Sequence, residues 1–384
     1  MIAALDEVGA LLGQGNAVAL TGAGMSTDSG IPDYRGSDSP RRTPMTITEF
    51  CSGSQAQQRY WARSHVGYSR MTRASPNVGH LALADLERQG VIRAVITQNV
   101  DGLHQAAGSQ YVIDLHGQIA EVICLDCAAR TPRHALQNRL AELNPGFVER
   151  VGSAIETAPD GDAVLADVAG FRIAACTNCG GRLKPDVVFF GENVPKQRVE
   201  AAFDLVDAAG VLLVAGSSLT VMSGLRFVRR ARLRLDIPVV IVNRGPTRGD
   251  EFATVLIDGG CSEVIRELAD ACANRPGSAA DHPHEPARYA HNVPEMGGEF
   301  TWSSQRLADR FLESALQLPL ERPSGTAHPE DHPGHEGDSD HRGDRLEQFT
   351  GLEIGEQTRL GIGQQRAEPD AQGDCDEDTG PHRR

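Results

Sequence analysis

The sequence predicts an α/β fold: a Rossmann-like, doubly wound parallel sheet with a small zinc-binding module inserted into it and a disordered C-terminal tail behind it. Three observations predict this. Short apolar runs alternate with helical segments over residues 1–274, and several of those runs end abruptly in glycine, hydroxyl or amide residues. Two Cys-x-x-Cys pairs interrupt the alternation in mid-chain. Beyond residue 274 Pro, Gly, His, Asp and Glu dominate, a composition that cannot build a packed core.

The first fifteen residues read as a short amphipathic helix ending at Gly13 or Gly15; with Asp6, Glu7 and no basic leader they are not expected to be a secretory signal. Ala17-Val18-Ala19-Leu20 is a buried strand that stops at Thr21-Gly22-Ala23-Gly24. Two glycines there leave no Cβ in the way of a close approach, and free N–H groups beside a helix start suit a phosphate. The GAG alone fits any α/β turn. A G-x-G-x-x-G fingerprint needs a third glycine, and Met25, Ser26 and Thr27 come after Gly24 instead. Ser26, Thr27, Asp28 and Ser29 then crowd hydroxyls and a carboxylate before Gly30-Ile31-Pro32-Asp33-Tyr34-Arg35, so the turn predicts a nucleotide site of a less common kind.

Gly36–Thr48 reads as a mobile loop, Gln57–Tyr68 as a helix with Tyr60, Trp61 and His65 on one face, and His80–Leu86 as a helix stopped by Gly90. Trp61 is expected in the core, and His80 at a helix cap. A second strand, Val91–Ile96, runs into Thr97-Gln98-Asn99-Val100-Asp101. Amides and a carboxylate at the carboxyl end of a strand lie where α/β folds bind ligands, and they suit a ribose or a small amide. An Asx-turn with a helix cap accounts for Asn99 and Asp101 but not for Gln98. A third strand, Tyr111–Leu115, ends at His116-Gly117 and exposes an imidazole at the same edge. Of the five histidines before the tail, His116 is the candidate general base.

Cys124 and Cys127, then Cys176 and Cys179, form two zinc-ribbon knuckles that together make a closed four-thiolate site, structural because no position stays open for substrate. The 48 residues between the pairs exceed ribbon spacing, so an insertion, Arg133–Gly170 with a helix near its start, is expected to loop out. Val187–Glu192 reads as an apolar strand returning to the main domain, and Val199–Asp207 as a helix. Strands Val211–Ala215 and Pro238–Val242 end in Gly216-Ser217-Ser218-Leu219-Thr220 and in Asn243-Arg244. Four such strand ends make one ligand-binding rim. Asp258-Gly259-Gly260-Cys261 and a helix, Glu263–Cys272, close the domain.

The formal charge of −15 is uneven: from Arg275 onward 11 Arg and 22 Asp plus Glu give −11, leaving −4 to residues 1–274. Neither part offers the basic field that nucleic acid requires. No apolar run approaches the roughly 20 residues of a membrane span. Eight cysteines, half of them in metal-type pairs, are too few for a disulfide scaffold, and the expected location is the cytoplasm. The tail holds 8 of 13 histidines, too dispersed for a metal site, and one amphipathic stretch, Leu307–Leu316.

The set GAGMSTDSGIPDYR, TQNVDGLH, HG, paired Cys-x-x-Cys, KPDVVFFGE, GSSL and VN, in this order, resembles the sirtuins over about residues 1–272. QQRYWARSHVGY, ICLDC, APDGD and GPTRGD look like the class II branch of that family. The resemblance implies a catalytic domain spanning 1–274, a zinc module within about 118–186 and an acidic tail, 275–384, outside the family pattern. It implies an NAD-dependent protein lysine deacylase of the acyl-transferring type, with acylated-lysine proteins as partners, NAD as a consumed co-substrate and one structural Zn²⁺. On it, Gly22, Ala23, Gly24, Thr27, Asp33, Tyr34 and Arg35 hold the pyrophosphate and cover the nicotinamide ribose. Ile31 and Asp101 receive the carboxamide, with Gln98, Asn99 and Val100 beside the ribose. Gly216, Ser217 and Ser218 meet phosphate and ribose, Asn243 the adenosine ribose and Cys261 the adenine end. The peptide adds as a strand against Val188, Phe189, Phe190 and Gly191. His116, aided by Asn99, is catalytic: the acyl oxygen attacks the ribose carbon as nicotinamide leaves, and His116 takes the proton of a ribose hydroxyl. ADP-ribosyl transfer to protein and a non-catalytic NAD sensor are the alternatives; a sensor has no need of a base.

Overall fold

The computed structural model describes residues 2–34, 43–151, 158–165 and 167–274. The expected tail with its Leu307–Leu316 stretch, Arg35 and most of the expected 36–48 loop lie outside the described residues.

Helix α1 (Ile2–Leu12) leads into β1 (Ala17–Thr21), followed by α2 (Ile47–Cys51), α3 (Ser54–Met71), α4 (Val78–Arg88), β2 (Ile92–Thr97), α5 (Leu103–Ala106) and β3 (Val112–Asp114). Then come β4 (Gly117–Cys124), β5 (Arg130–Pro132), α6 (Arg133–Leu143), α7 (Phe147–Val151) and β6 (Leu183–Val187). The chain continues through α8 (Lys196–Asp207), β7 (Val211–Ala215), α9 (Met222–Arg234), β8 (Val239–Asn243), β9 (Val255–Asp258) and α10 (Cys261–Ala273).

Six strands form one parallel sheet in the order β3-β2-β1-β7-β8-β9, the doubly wound arrangement once the inserted strands are set aside. Alternation along each strand explains the two helical layers. Ala17, Ala19, Leu213 and Val240 face the core closed by α1, α4 and α10, while Val18, Leu20, Val214 and Ile241 face the one closed by α8 and α9. Strand order reverses about the β1–β7 pair, and ligands bind such sheets outside the carboxyl ends of the strands at that crossover.

The inserted module is a three-stranded antiparallel sheet, β5-β4-β6. Its β6 corrects the expected strand Val187–Glu192: pairing ends at Val187 opposite Gly117, because the residues before Gly117 have already turned into the large sheet. Val188 N–H still donates to His116 O at 2.8 Å, after which the segment leaves the sheet and makes one isolated bridge, from Phe190 to Thr46. Gly117 sits at φ 80°, and a Cβ there would lie 1.9 Å from Asp186 O, so only glycine admits β6 so close.

The insertion does not simply loop out. Its helices α6 and α7 pack with Trp61 and Phe50 into the module core, and residues 158–163 return to α3, where Arg63 reaches Ala163 O at 2.8 Å and Asp162 at 3.0 Å. Fully buried Arg133 lies over the rings of Trp61 (5.2 Å) and Tyr68 (4.4 Å), which ties α6 to α3 by cation–π contact. Trp61 is core, as expected, and donates to Leu183 O at 3.1 Å. His80 forms the expected cap: Asn77 N–H donates to its Nδ1 while His80 N–H donates to Asn77 Oδ1. The expected loop up to Thr48 ends earlier, since Thr46 caps α2 by accepting from Glu49 N–H.

Candidate active site

The ends of β1 and β7 meet backbone to backbone. Gly22 N–H donates to Ala215 O at 3.2 Å and Gly24 N–H to Gly216 O at 2.8 Å, while Gly216 at φ 63° would put a Cβ 2.3 Å from Met25 N. Two of the N–H groups expected to face a phosphate are therefore spent on the neighbouring strand end. The chain then makes a pair of short 3₁₀ turns, Ala23–Met25 and Thr27–Ser29, in place of a helix start.

Behind this turn the amide cluster forms a network. Gln98 Nε2 spans the rim, donating to Ser217 Oγ (2.9 Å) and Thr21 O (3.2 Å). Asn99 Nδ2 donates to Gly22 O and Ser26 Oγ, both at 3.0 Å, and Ser26 Oγ donates to Asp101 Oδ2 at 2.7 Å. The other Asp101 oxygen accepts from Leu103 N–H at 2.9 Å, an Asx-turn that leads into α5, so one carboxylate serves both the turn and the network. Burial pushes the Asp101 carboxyl up from its ordinary value, against the donors from Leu103 and Ser26.

His116 is half-buried at the sheet edge. Its Nδ1 lies 2.8 Å from Gln98 O, a pure acceptor, so Nδ1 carries the proton. Nε2 then presents its lone pair, which accepts from Ser223 Oγ at 2.9 Å. Burial lowers the imidazole pKa below its ordinary value, helped by Arg226 and Arg198 and opposed by the Gln98 carbonyl. A neutral ring at neutral pH with one lone pair in a cleft is a base ready to accept a proton.

The cleft holding these groups measures about 1120 Å³. It gathers Gly22, Ala23, Gly24, Thr27, Ile31, Asp33, Tyr34, Gln98, Asn99, Val100, Asp101 and His116 with Gly216, Ser217, Ser218, Asn243 and Cys261. Val188, Phe189, Phe190 and Gly191 form the opposite wall. Cys261 is buried against Val242 O, and its thiol is pushed up to about 12 by burial and Asp28, which keeps it protonated and unreactive. Arg35 lies outside the described residues.

Several cleft groups are not assigned to the site by the sequence. There Ser26 reads as part of the hydroxyl-rich turn without a partner, Tyr60 as one face of a helix, and Pro159 and Asp160 only as members of the APDGD stretch; all four line the cleft, Ser26 in contact with the amide network. Ser223, which contacts the imidazole, carries no local signal. Asp160 cannot be placed at the cleft without knowing that the insertion folds back.

The four cysteine sulfurs lie within 4.8 Å of one another, with Cys124–Cys179 at 3.6 Å and Cys127–Cys176 at 3.9 Å. Zinc–sulfur bonds of about 2.3 Å set tetrahedral sulfur–sulfur edges near ~3.8 Å, so the cage fits zinc. Asn178 supports it, N–H to Cys176 Sγ and Nδ2 to Cys127 Sγ. None of the four lines the cleft.

A doubly wound sheet with a nucleotide-type rim, a neutral histidine base and a four-cysteine staple defines a dinucleotide-binding fold with a zinc module. Residues 22–223 match the Sir2 family model. The chain is 57% identical over 272 residues to NAD-dependent protein deacetylase 1 of Mycobacterium avium, covering 70% of this chain and 96% of that one. It is 51% identical over 280 residues to NAD-dependent protein deacetylase 1 of Streptomyces coelicolor, covering 72% and 92%. A solved Sir2–p53 peptide–NAD⁺ complex superposes with TM-score 0.55 at 33% identity, covering 70% of this chain and 98% of that one. A Sir2 structure bound to a propionylated peptide superposes with the same TM-score of 0.55, at 31% identity with 70% and 98% covered. This chain belongs to the Sir2 family.

Proposed function

We propose that this protein removes acyl groups from protein lysine side chains, consuming NAD and releasing nicotinamide and an acylated ADP-ribose. The observation that carries the reading is one cleft with three parts: the Gly22–Gly24 and Gln98–Asp101 rim, the His116 Nε2 lone pair, and a wall at Val188–Gly191 that belongs to none of the named strands. Relatives named as NAD-dependent deacetylases and Sir2 structures holding peptides with NAD support it.

Nicotinamide leaves NAD as a neutral molecule, so no acid is required, and positioning dominates the first step. Asp101 and Ile31 receive the carboxamide, Gln98, Asn99 and Val100 border the ribose, and Asn99 holds the Gly22 turn in register through its bond to Gly22 O. Asp33 and Tyr34 cover that ribose, the Ala23 end of the Gly22–Gly24 turn with Thr27 and Gly216–Ser218 meets the phosphates, and Asn243 and Cys261 flank the adenosine. The peptide lies along Val188–Gly191 as an added strand, giving affinity with little sequence demand. His116 exchanges the Ser223 hydroxyl for a ribose hydroxyl and takes its proton on Nε2. A zinc ion bound by the four thiolates contributes folding free energy and no chemical step.

Residues 1–274 form the catalytic unit in this reading, and a chain ended at Asn274 keeps its activity. The reducing cytoplasm suits the reduced cysteine cage. The test is a mass-spectrometric assay with NAD and acyl-lysine peptides, following nicotinamide and acylated ADP-ribose. Free lysine with both products supports the reading. A target heavier by one ADP-ribose supports transferase activity instead, and NAD binding without nicotinamide release supports a sensor.

A further inference from the structure

The insertion brings a carboxylate to the acyl side of the cleft. Asp160 lines that cleft beside Tyr34, Tyr60, Phe189 and Phe190. The four rings form a wall: Tyr34 meets Phe190 edge-on at 5.8 Å, and Tyr60 meets Phe189 edge-on at 5.2 Å. Asp160 acts on both phenols. The Tyr34 hydroxyl hydrogen-bonds to it, and its charge helps raise the pKa of both tyrosines. The backbone fixes the carboxyl as well, since Asp162 N–H donates to Asp160 Oδ1 at 3.2 Å. The nearby cation, Arg63, is engaged by Asp162 at 3.0 Å and by Ala163 O at 2.8 Å, which removes it as a partner for an incoming anion. Arg226, Arg244 and Arg248, the cations lining the cleft among the described residues, belong to α9 and to the loop after β8, on the cofactor side.

Resting on the deacylase reading, in which the acyl chain enters beside Val188–Gly191, we infer that Asp160 is a specificity-determining residue that selects neutral acyl groups and rejects acyl chains ending in a carboxylate. Two carboxylates brought together in a partly dry cleft repel strongly. Of the other described cations near that wall, Lys184 pairs with Glu192 at 3.0 Å, and Arg133 is buried behind Tyr60 and does not line the cleft. A neutral chain of the same size meets no such repulsion, and one that ends in a primary amide can donate to Asp160.

A matched pair of peptides tests this on the full-length, zinc-loaded protein: one sequence carrying succinyl-lysine, or the same acyl group with its terminal acid as the primary amide. The pair differs in charge and hardly in size. The wild-type protein should favour the amide in kcat/KM by about tenfold or more. Asp160→Asn, which keeps an acceptor for Tyr34, should bring the ratio near one by gaining on the acid. Equal wild-type turnover of acid and amide overturns the inference while leaving deacylation standing, as does an unchanged ratio in Asp160→Asn. Should Asp160→Asn fail to fold, Asp160→Ser serves: it also removes the charge and should bring the ratio near one, and an unchanged ratio there overturns the inference. No NAD-dependent turnover of any acyl peptide, acetyl included, removes the deacylase reading and this inference with it.

Discussion

The six-stranded sheet and the zinc module solve the same problem by different means. The inner strands of the sheet, β2, β1, β7 and β8, feed two apolar cores, and helices cover both, while edge strand β9 feeds one, so burial holds the sheet. The module has three strands, two of only three and five residues, and one core that it shares with α2 and α3. It needs four thiolates and a metal to close. The two regions join at the proposed base and the proposed peptide wall, because the module begins at Gly117, directly after His116, and ends at Val187, directly before Val188. A zinc ion held by the four thiolates at the far end of the β4–β6 ribbon would therefore act on the cleft only through that ribbon.

Removing the metal should give the largest effect and separates the two regions. Chelation, or Cys176→Ser, should abolish peptide turnover, since structural zinc contributes about 10–16 kcal/mol in isolated zinc-finger peptides. Hydrogen exchange should show β1 and β7 still protected while β4 and β6 open. Collapse of the sheet with the module would show that the division is false.

His116→Ala is next, and it strikes the joint without loosening either side. Turnover should fall by about 10²–10⁴-fold or more, the usual worth of a positioned base, with little change in melting temperature. Near-normal turnover would remove the base assignment. The acid limb of the wild-type pH–rate profile should lie below pH ~6.5, because burial depresses the imidazole pKa and the neutral ring is the active form.

These two regions also differ in how much their sequence disclosed. Val18, Leu20, Val214 and Ile241 announce buried strands because a strand covered on both faces is apolar throughout, and polar residues after such a run mark its end. The rim residues Gln98, Asn99, Asp101, Ser217 and Asn243 were legible for that reason. The module gave a false boundary: Val187-Val188-Phe189-Phe190 is as apolar as a strand, yet Phe189 is buried by ring packing against Phe50 and Tyr60, and its backbone has no strand beside it. Long-range returns left no local mark at all. Nothing near Asp160 says that it will meet Tyr34, and nothing near Ser223 says that it will meet His116.

Lys184→Met should produce a smaller and more selective change. Lys184 Nζ donates to Val187 O at 2.6 Å and pairs with Glu192 at 3.0 Å, its ammonium 5.0 Å from the Phe189 ring centroid. The same Glu192 oxygen accepts from Phe189 N–H at 2.8 Å. This clip sets the shape of the segment proposed to bind peptide and makes no contact with the rim. The peptide KM should rise about tenfold while the NAD KM holds, and an equal rise in both would mean that the two halves of the cleft are not separable.

The smallest effect at working pH comes from two histidines buried in the sheet region. His80 and His104 pack edge to face at 4.8 Å, and His104 Nε2 lies 2.9 Å from Thr21 Oγ1 beneath the GAG turn. His80 Nε2 and His104 Nδ1 have no protein partner. Burial depresses both pKa values, that of His80 to about 4, so each ring is neutral when folded and basic when unfolded. The unfolded chain therefore binds more protons below pH ~6.5, and stability falls by about 1 kcal/mol per pH unit for His80, a loss complete once the pH passes its folded value near 4. Asp101, Asp114 and Asp160 act in the opposite sense: their raised pKa values cost stability above pH ~4 and return it as they protonate on acidification. Between pH 7.5 and 5.5 the histidine contribution develops, because that interval spans the imidazole pKa of the unfolded chain near ~6.5. With zinc in excess to hold the module, the urea midpoint should drop across this interval by an amount that His80→Gln reduces. A flat midpoint would mean that the two rings find proton partners on folding, and acid sensitivity would then belong to the module alone.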